Sequence, residues 1–384
     1  MPQTTATLPD RIAEWSETDT RLMQQALALA ERGVGQVSPG PLVGCVVASA
    51  SGEVAGEGFY VYENMKHAET YALEQAGDRA KGGTAYVSLE PHAHYGRTPP
   101  CTDALINAGI SRVVCPIEDP NPKVSGKGFN HLRAAGVEVE IGLLASEARK
   151  LNEKYCHFML TGRPFVHLKL AASLDGKIAT RSGESQWITG PDARQRVQEL
   201  RHEYDAIMVG AGTAVADDPM LTDRSGLPRA KQLTRVVLDE HLTLPLEGKL
   251  VSSARQTPLV VFCGDSAPSN KVASLRELGV EVVSDQSNGR DLFAVLTTLG
   301  DRLVQSVLVE GGAGVAGKLL DAGLVNKISF FLAPIIIGGR EAPSAIGGNG
   351  AERLSDALRL ADVEIVRRGQ DFEITGCLRS RDDN

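Results

Sequence analysis

Lys66-His67-Ala68-Glu69, read with Pro91-His92 and Pro99-Pro100-Cys101, decides the fold of the first half of this chain. His67 and Glu69 form an H-x-E, and eight residues separate His92 from Cys101 in the second cluster. Imidazole and thiolate are both ordinary zinc ligands. Three protein ligands leave a fourth position open for a water that the metal acidifies. Glu69 follows His67 by two residues, so from the first turn of a helix both side chains can face one pocket. There the carboxylate can take a proton from that water and pass it to a leaving group. A lone H-x-E is more often a solvated helix surface, and a lone Cys a small buried apolar residue. The joint pattern at this spacing favours a zinc site, with His67, His92 and Cys101 as ligands and Glu69 as proton carrier.

The surrounding segments alternate in type. Leu22, Ala26, Leu27 and Ala30 recur at helical spacing and predict a helix over 19–33, ended by Gly33. After the turn Ser38-Pro39-Gly40-Pro41, strands over 42–47 and 54–60 join through Ser51-Gly52 as a hairpin. A helix over 67–75 follows, then a strand over 84–89 that delivers His92 to the loop beyond it. A further helix opens at Cys101, and a strand covers 111–115. Two of the ligands therefore fall at helix starts, where the positive end of the dipole favours a thiolate. The alternation implies an α/β fold, a three-layer sandwich.

In the second half a helix is expected over 145–160. The Gly/Pro break Thr161-Gly162-Arg163-Pro164 places a domain boundary, giving domains 1–163 and 164–384. A strand over 165–172 is interrupted by Lys169, and a helix over 192–202 precedes a strand over 206–209. Val307-Leu308-Val309-Glu310 then runs into Gly311-Gly312-Ala313-Gly314-Val315-Ala316-Gly317, with a helix to Leu320. Such glycines let backbone N–H groups approach a phosphate at a helix start. Gly312, Gly314 and Gly317 spell G-x-G-x-x-G, but the next strand, over 327–332, ends without the acid a Rossmann domain needs about twenty positions on. A pyrophosphate loop of another fold fits better, and a plain strand-to-helix turn is the other reading. Ile335-Ile336-Ile337 reads as a buried strand, or as part of a subunit interface.

The totals narrow the field. A length of 384 residues suggests two domains, and a net charge of -8 argues against a nucleic-acid channel. The start of the chain has no basic segment followed by an apolar core, and no apolar run reaches membrane-spanning length. The cysteines Cys45, Cys101, Cys115, Cys156, Cys263 and Cys377 are scattered with no CxxC, which reads as reduced thiols in a cytoplasm.

The run from Leu89-Glu90-Pro91-His92-Ala93-His94-Tyr95-Gly96-Arg97-Thr98 to Pro99-Pro100-Cys101 resembles the signature of the riboflavin-pathway deaminases, a branch of the zinc nucleobase deaminases. Their usual form has Cys where His92 stands. Asp119-Pro120-Asn121-Pro122 and Val124-Ser125-Gly126-Lys127-Gly128 resemble that family as well. Ser185-Gln186-Trp187-Ile188-Thr189 and residues 212–224 resemble its reductase half, so the likeness to the bifunctional deaminase/reductases of riboflavin biosynthesis covers nearly the whole chain.

The resemblance implies a cytidine-deaminase-like sandwich followed by a dihydrofolate-reductase-like domain. It implies deamination of 2,5-diamino-6-(5-phosphoribosylamino)pyrimidin-4(3H)-one with Zn2+, then NADPH-dependent reduction of the ribosyl group of 5-amino-6-(5-phosphoribosylamino)uracil to ribityl. It assigns NADPH to Ala171, Trp187, Thr213, Asp217 and the loop Gly312, Ala313, Gly314, Val315, Ala316, Gly317 and Lys318. Substrate goes to Ser185, Arg201, Leu221, Arg224 and Glu310, and the family suggests a homodimer. Taken alone, each acid or Arg is more often a solvated surface charge, and Trp187 is as readily a core residue. His94 can contact substrate or simply hydrogen-bond backbone, and Asn121 and Lys127 can line substrate or be ordinary surface groups.

Two departures fall in one pocket. The turn usually written Pro-Asn-Pro is here Pro39-Gly40-Pro41, and His92 replaces Cys. One alternative is therefore a reductase whose deaminase domain has degenerated. Another is a binding module that keeps pyrimidine affinity without chemistry. A nucleic-acid-editing deaminase leaves the second half unexplained. Drift would also have eroded His67, Glu69, Cys101 and Gly96-Arg97-Thr98, which are present, so an active site is the expectation.

Overall fold

The computed structural model of the protein describes residues 15–96, 98–285, 287 and 289–378. Arg97 and the polar start of the chain, residues 1–14, lie outside the described residues. The chain forms two compact units, Met1–Gly33 with Leu42–Asn152, and Val34–Pro41 with Glu153–Asn384.

The first unit runs α1 (Glu17–Glu31), β1 (Gly44–Ala48), β2 (Val54–Phe59), α2 (Ala68–Ala76), β3 (Thr84–Val87), α3 (Cys101–Asn107), β4 (Arg112–Cys115), α4 (Lys127–Ala134), β5 (Glu138–Ile141) and α5 (Ala145–Leu151). Its sheet has the order β2-β1-β3-β4-β5. β1 is antiparallel to both β2 and β3, and β3, β4 and β5 are parallel. Strand alternation sends Gly44 toward α1 and Cys45 and Val47 toward Ala68 and Ala72 of α2, so helices cover both faces and the expected sandwich forms. α2 lies very close to the sheet. A Cβ on Gly56 or Gly58 of β2 would sit 2.0 Å or 2.2 Å from the carbonyl oxygens of Ala72 and Ala68.

The helix expected over 145–160 is broken. Asn152 leaves helical geometry between α5 and α6 (Glu153–Thr161), at φ -100 and ψ 20. Its amide instead pairs with the backbone of Leu42: Leu42 N–H donates to Oδ1 at 2.9 Å and Nδ2 donates to the Leu42 carbonyl at 2.9 Å. An Asn that satisfies a distant chain segment in this way competes with continued helix. α6 falls in the second unit, and the Gly162-Arg163-Pro164 break lies beyond its end.

The second unit continues with β6 (Phe165–Ser173), α7 (Pro191–Glu203), β7 (Ala206–Gly210), α8 (Ala211–Asp217), β8 (Thr234–Leu238), α9 (Lys249–Ser252), β9 (Leu259–Gly264), α10 (Ser269–Glu277), β10 (Glu281–Asp285), α11 (Leu292–Asp301), β11 (Ser306–Val309), α12 (Ala313–Asp321), β12 (Lys327–Ala333), β13 (Leu360–Arg368) and β14 (Asp371–Leu378). The nine-stranded sheet has the order β10-β9-β8-β7-β11-β6-β12-β14-β13. Strands β10 to β12 in that order are all parallel, and the antiparallel hairpin β13–β14 closes one edge. One apolar cluster contains Met208, Val236 and Val309, and another contains Ile207, Val209 and Val237, so successive residues of the central strands feed opposite faces. Central strands buried on both faces read as unbroken apolar runs. In such a sheet ligands gather at the C-terminal strand ends. Ile335, Ile336 and Ile337 lie past the end of β12 rather than in a buried strand, and Ile336 is 76% exposed.

Asp19 ties the first unit's layers together. It takes part in a capping box with Ser16, accepts from Tyr86 of β3 at 2.7 Å, and pairs with Arg112 of β4 at 2.7 Å. Arg112 also reaches Glu140 of β5. Burial pushes the Asp19 carboxyl up, but Arg112, Tyr86 and Ser16 outweigh it and hold it well below its ordinary 3.8. A depressed folded-state value contributes stability that is present above about pH 4 and lost as pH falls through the folded value. Asp19→Asn should therefore cost about 2 kcal/mol at pH 7. The gap from wild type should narrow as the pH is lowered below about 4, as read by calorimetric unfolding across pH.

Candidate active sites

The fold brings the three expected ligands together. One ligand atom each from His67, His92 and Cys101 lies within 4.8 Å of the others. His67 is the N-cap of α2 and Cys101 is the first residue of α3, so both sit at helix starts. His67 Nδ1 faces Cys101 Sγ at 3.2 Å, while its Nε2 is engaged by the Thr98 hydroxyl at 3.1 Å. That second contact fixes the ring, as the outer partner of a metal-bound His does. The rings of His67 and His92 lie 4.6 Å apart, and His94 packs edge-on against His92 at 5.2 Å. His94 itself is exposed. Burial, with His67 and then His94, lowers His92 to about 4, so the ring is neutral at physiological pH, the form in which it binds metal. Burial first, and then Glu69, push the Cys101 thiol well up, so a bare site holds it protonated and a metal must displace that proton.

Glu69 is buried in the first turn of α2, and its Oε2 has no hydrogen-bond partner. A buried carboxylate oxygen without a partner is costly. An orphaned acceptor beside two imidazoles and a thiol suits a zinc centre whose remaining position holds a water. The donor set therefore fits the metal.

One supporting residue was given no role of its own in the sequence. Glu90 is buried, and among the described residues no cation pairs with it. Its carboxylate instead accepts backbone N–H groups from Asp119 at 3.1 Å, Gly126 at 3.0 Å, Gly128 at 2.9 Å and Phe129 at 3.4 Å. It thereby folds the 119–129 loop against the segment that carries His92. Gly128 must be bare there, since a Cβ would sit 1.8 Å from the Pro91 carbonyl oxygen. Asn121 and Lys127 make turn contacts within this loop. The Asn121 side chain accepts from Lys123 N–H at 3.0 Å, and Lys127 Nζ donates to the Pro122 carbonyl at 3.3 Å.

In the second unit Glu310, just past β11, receives Arg201 of α7 in a two-point pair, Nε to Oε1 at 2.7 Å and Nη2 to Oε2 at 3.0 Å. Lys169 of β6 lies 4.0 Å from Oε2. Burial pushes Glu310 up, yet Arg201, Lys169 and Arg224 outweigh it and hold it below the usual range. Burial lowers the Lys169 amine, Glu310 draws it back and Arg201 opposes that; the net result is below its ordinary value. Arg201 Nη1 also donates to the Thr222 carbonyl at 3.2 Å, which draws in the 221–224 segment. Leu221 is buried in an apolar cluster, so only its backbone can meet a substrate. Ser185 is half-buried. Trp187 is 70% exposed with the Arg194 guanidinium 4.7 Å over its ring, which sets aside the core-tryptophan reading.

The glycine-rich segment divides its labour. Gly312 is the N-cap of α12, and its N–H donates to Thr213 Oγ1 at 3.1 Å. Gly314 is open, with nothing within 4 Å of a Cβ. Gly317 is a packing residue: a Cβ would lie 2.2 Å from the Gly347 carbonyl carbon. Ala316 is buried in the core. Gly314, Val315 and Lys318 line a cleft of about 320 Å³ together with Gly210, Ala211, Gly212, Leu238, Asp239, Glu240, His241, Thr243, Gly289, Arg290 and Leu292. Ala171, half-buried on β6, and Asp217, exposed at the end of α8, lie outside that lining. A backbone-lined cleft beside the start of α12 fits a dinucleotide pyrophosphate.

The same chain regions match known families. The family model of the cytidine and deoxycytidylate deaminase zinc-binding region matches residues 16–117, and that of the RibD C-terminal domain matches 164–374. The chain is 44% identical over 359 residues to riboflavin biosynthesis protein RibD of Actinobacillus pleuropneumoniae, covering 92% of this chain and 94% of that protein. It is 42% identical over 361 residues to RibD of Escherichia coli (strain K12), covering 92% and 97%. Among solved structures, Acinetobacter baumannii RibD (form 2) superposes with a TM-score of 0.84 at 38% identity, covering 94% of this chain and 99% of that one. The diaminohydroxyphosphoribosylaminopyrimidine deaminase/5-amino-6-(5-phosphoribosylamino)uracil reductase of Thermotoga maritima does so with a TM-score of 0.81 at 35% identity, covering 94% and 99%.

Glu90→Gln keeps the side chain's shape but replaces one acceptor oxygen with a donor. It should lower stability by about 2 kcal/mol and speed amide exchange across residues 119–129, measured by hydrogen-exchange mass spectrometry. Wild-type exchange across that stretch would show that the carboxylate does not hold the loop.

Proposed function

Because the chain belongs to the RibD family of bifunctional riboflavin biosynthesis enzymes, we propose a residue-level assignment of its two activities. The protein is a zinc-dependent deaminase of the diaminopyrimidine phosphoribosylamine and an NADPH-dependent reductase of the resulting uracil. A reductase with a degenerate deaminase domain is not favoured. The deamination is assigned to residues 1–163 and the reduction to 164–384.

His67, His92 and Cys101 hold the zinc, and the observation that supports this most is their convergence beside the unpartnered Glu69 Oε2. When bound, zinc supplies an acidified water as the nucleophile for the amine-bearing ring carbon. Glu69 accepts a proton from that water and returns it to the departing nitrogen, so that ammonia leaves. Thr98 keeps the His67 ring in place through Nε2.

In the reductase, Gly314, Val315 and Lys318 hold NADPH at the start of α12, with Thr213 fixing the Gly312 turn and Ala171, Trp187 and Asp217 completing its contacts. Bound NADPH would supply the hydride for the anomeric carbon of the sugar. The ring C–O bond opens, and the oxygen must gain a proton. Lys169, with its lowered amine 4.0 Å from Glu310 Oε2, is a candidate donor. Arg201, Arg224, Glu310, Ser185 and the backbone at Leu221 orient the phosphoribosylaminouracil. Once engaged by Arg201, Glu310 keeps its charge, and a guanidinium suits a sugar phosphate.

The assembly is a homodimer through the reductase unit. Its C-terminal hairpin exposes apolar side chains: Ile365 of β13 is 66% exposed and Phe372 of β14 43%. The pairings Ile365↔Ile374 and Arg367↔Phe372 put Ile365 and Phe372 on one face of an edge hairpin, a surface that calls for cover. No helix among the described residues is long and apolar enough to cross a membrane; a cytoplasmic setting is the one in which thiols such as Cys45, Cys101 and Cys115 stay reduced.

The deciding experiment supplies zinc and the diaminopyrimidine phosphate without NADPH and measures ammonia. Wild type should release it. Glu69→Gln should slow release by about 10²- to 10⁴-fold while retaining zinc, and a chelator should stop release yet spare NADPH oxidation with the deaminated substrate. No ammonia from zinc-loaded wild type that still reduces that substrate would reject the His92-containing centre. In sedimentation, Ile365→Asp should shift the protein from dimer toward monomer. An unchanged dimer would place the interface elsewhere.

A further inference from the structure

The coenzyme cleft carries a charged pair opposite the glycine-rich turn. Glu240, two residues past the end of β8, receives Arg290 in a two-point contact, Nε to Oε2 at 2.9 Å and Nη2 to Oε1 at 2.6 Å. His241 Nε2 lies 3.8 Å from Oε1. Lys318 lines the same cleft from α12. The neighbouring Asp239 is already spent on structure. It is buried, and its oxygens accept from Thr243 N–H and hydroxyl at 2.9 Å and 3.0 Å and from Leu244 N–H at 2.8 Å. Glu240 and Arg290, in contrast, bridge two loops at a partly open surface.

Nicotinamide coenzymes differ at one place, the 2′ position of the adenosine ribose, a hydroxyl in NADH and a phosphate in NADPH. In nucleotide sites an acid at the end of a strand takes the hydroxyl, and an arginine accommodates the phosphate. This cleft holds both residue types, bonded to each other. We propose that the Glu240–Arg290 pair reads the 2′ position of the bound coenzyme: Arg290 grips the 2′-phosphate of NADPH, and Glu240 competes for that arginine. The inference rests on the reading of the Gly312–Lys318 segment as the coenzyme loop.

The sign of each effect follows. A 2′-phosphate must draw Arg290 from Glu240 and leaves that carboxylate near a dianion, so the acid restrains NADPH affinity. For NADH the same carboxylate accepts from the 2′-hydroxyl. Glu240→Gln therefore tightens NADPH and loosens NADH. Arg290→Ala removes a charge-assisted phosphate contact and weakens NADPH by ~10- to 100-fold, with NADH within ~3-fold of wild type.

The test is the equilibrium Kd of NADPH and of NADH for the full-length protein, by nicotinamide fluorescence without substrate. A third variant, Gly314→Glu, projects a side chain and a negative charge into the cleft where nothing crowds a Cβ. It should abolish binding of both coenzymes. If it leaves both Kd values at wild type, the cleft is not the coenzyme site, and the loop reading falls with the inference. If Gly314→Glu abolishes both while Glu240→Gln and Arg290→Ala move the two coenzymes by equal factors, or not at all, the selectivity inference alone is overturned. Opposite shifts in Glu240→Gln, with a selective NADPH loss in Arg290→Ala, support it.

Discussion

Close backbone contact at bare glycines seats the helices on which both sites depend. Helix α2 reaches β2 only because Gly56 and Gly58 project no carbon toward Ala72 and Ala68. A Cβ at either place would push the helix outward by an ångström or more, and His67 and Glu69 would move with its first turn. Errors of that size at reacting groups are costly in rate. The second unit repeats the device. Gly317 lets α12 lie against the Gly347–Gly348 backbone, which fixes the helix start beside the cleft lined by Gly314, Val315 and Lys318. Hydrogen bonds accompany both contacts, from Glu57 N–H to Gln75 Oε1 at 3.1 Å and from Gly347 N–H to the Ala313 carbonyl at 3.0 Å, and the bare glycines add no bond of their own. Each acts by exclusion, since no larger residue leaves the helix where the chemistry needs it.

Much of this architecture was legible in the chain. The period-2 and period-3.6 patterns around His67, His92 and Cys101 placed the ligands at helix starts and at a strand end, because local spacing dictates which faces residues share. Distant partners were not legible. Asn152 breaks a helix-like stretch because its amide serves Leu42, 110 positions away. Glu90 looks like an ordinary acid until the 119–129 backbone wraps onto it. Ile335 and Ile336 read as a strand by hydrophobicity, yet they lie past the end of β12 and are exposed. The literal G-x-G-x-x-G lacked its acid in the following strand. An acid lines the cleft all the same, but it comes from the end of β8, ahead of the glycines in sequence, so a one-dimensional motif could not contain it.

Buried carboxylates in this protein are handled in distinct ways, and the differences separate structure from chemistry. Glu90 is surrounded by backbone N–H groups. Asp239 caps its own turn. Glu373 takes Arg368 and Arg196, and Glu310 takes Arg201. Each is compensated within the protein, as a buried charge must be. Among the described residues, Glu69 supplies the one carboxylate oxygen that is buried with no hydrogen bond. A cost left uncompensated next to three potential ligands marks the place where something outside the chain completes the site.

His92 bears on what completes it. A His/His/Cys set would carry one negative charge fewer around a divalent ion than a His/Cys/Cys set, because imidazole binds a metal as a neutral ligand and cysteine as a thiolate. A zinc held by His67, His92 and Cys101 would therefore supply a more acidic water, as in zinc sites with imidazole ligands alone. That raises the value of a neighbouring buried carboxylate that can accept the water's proton, and Glu69 is that group. Imidazole in place of a thiolate would therefore keep the acid–base logic of such a centre and shift its electrostatic balance toward the nucleophile.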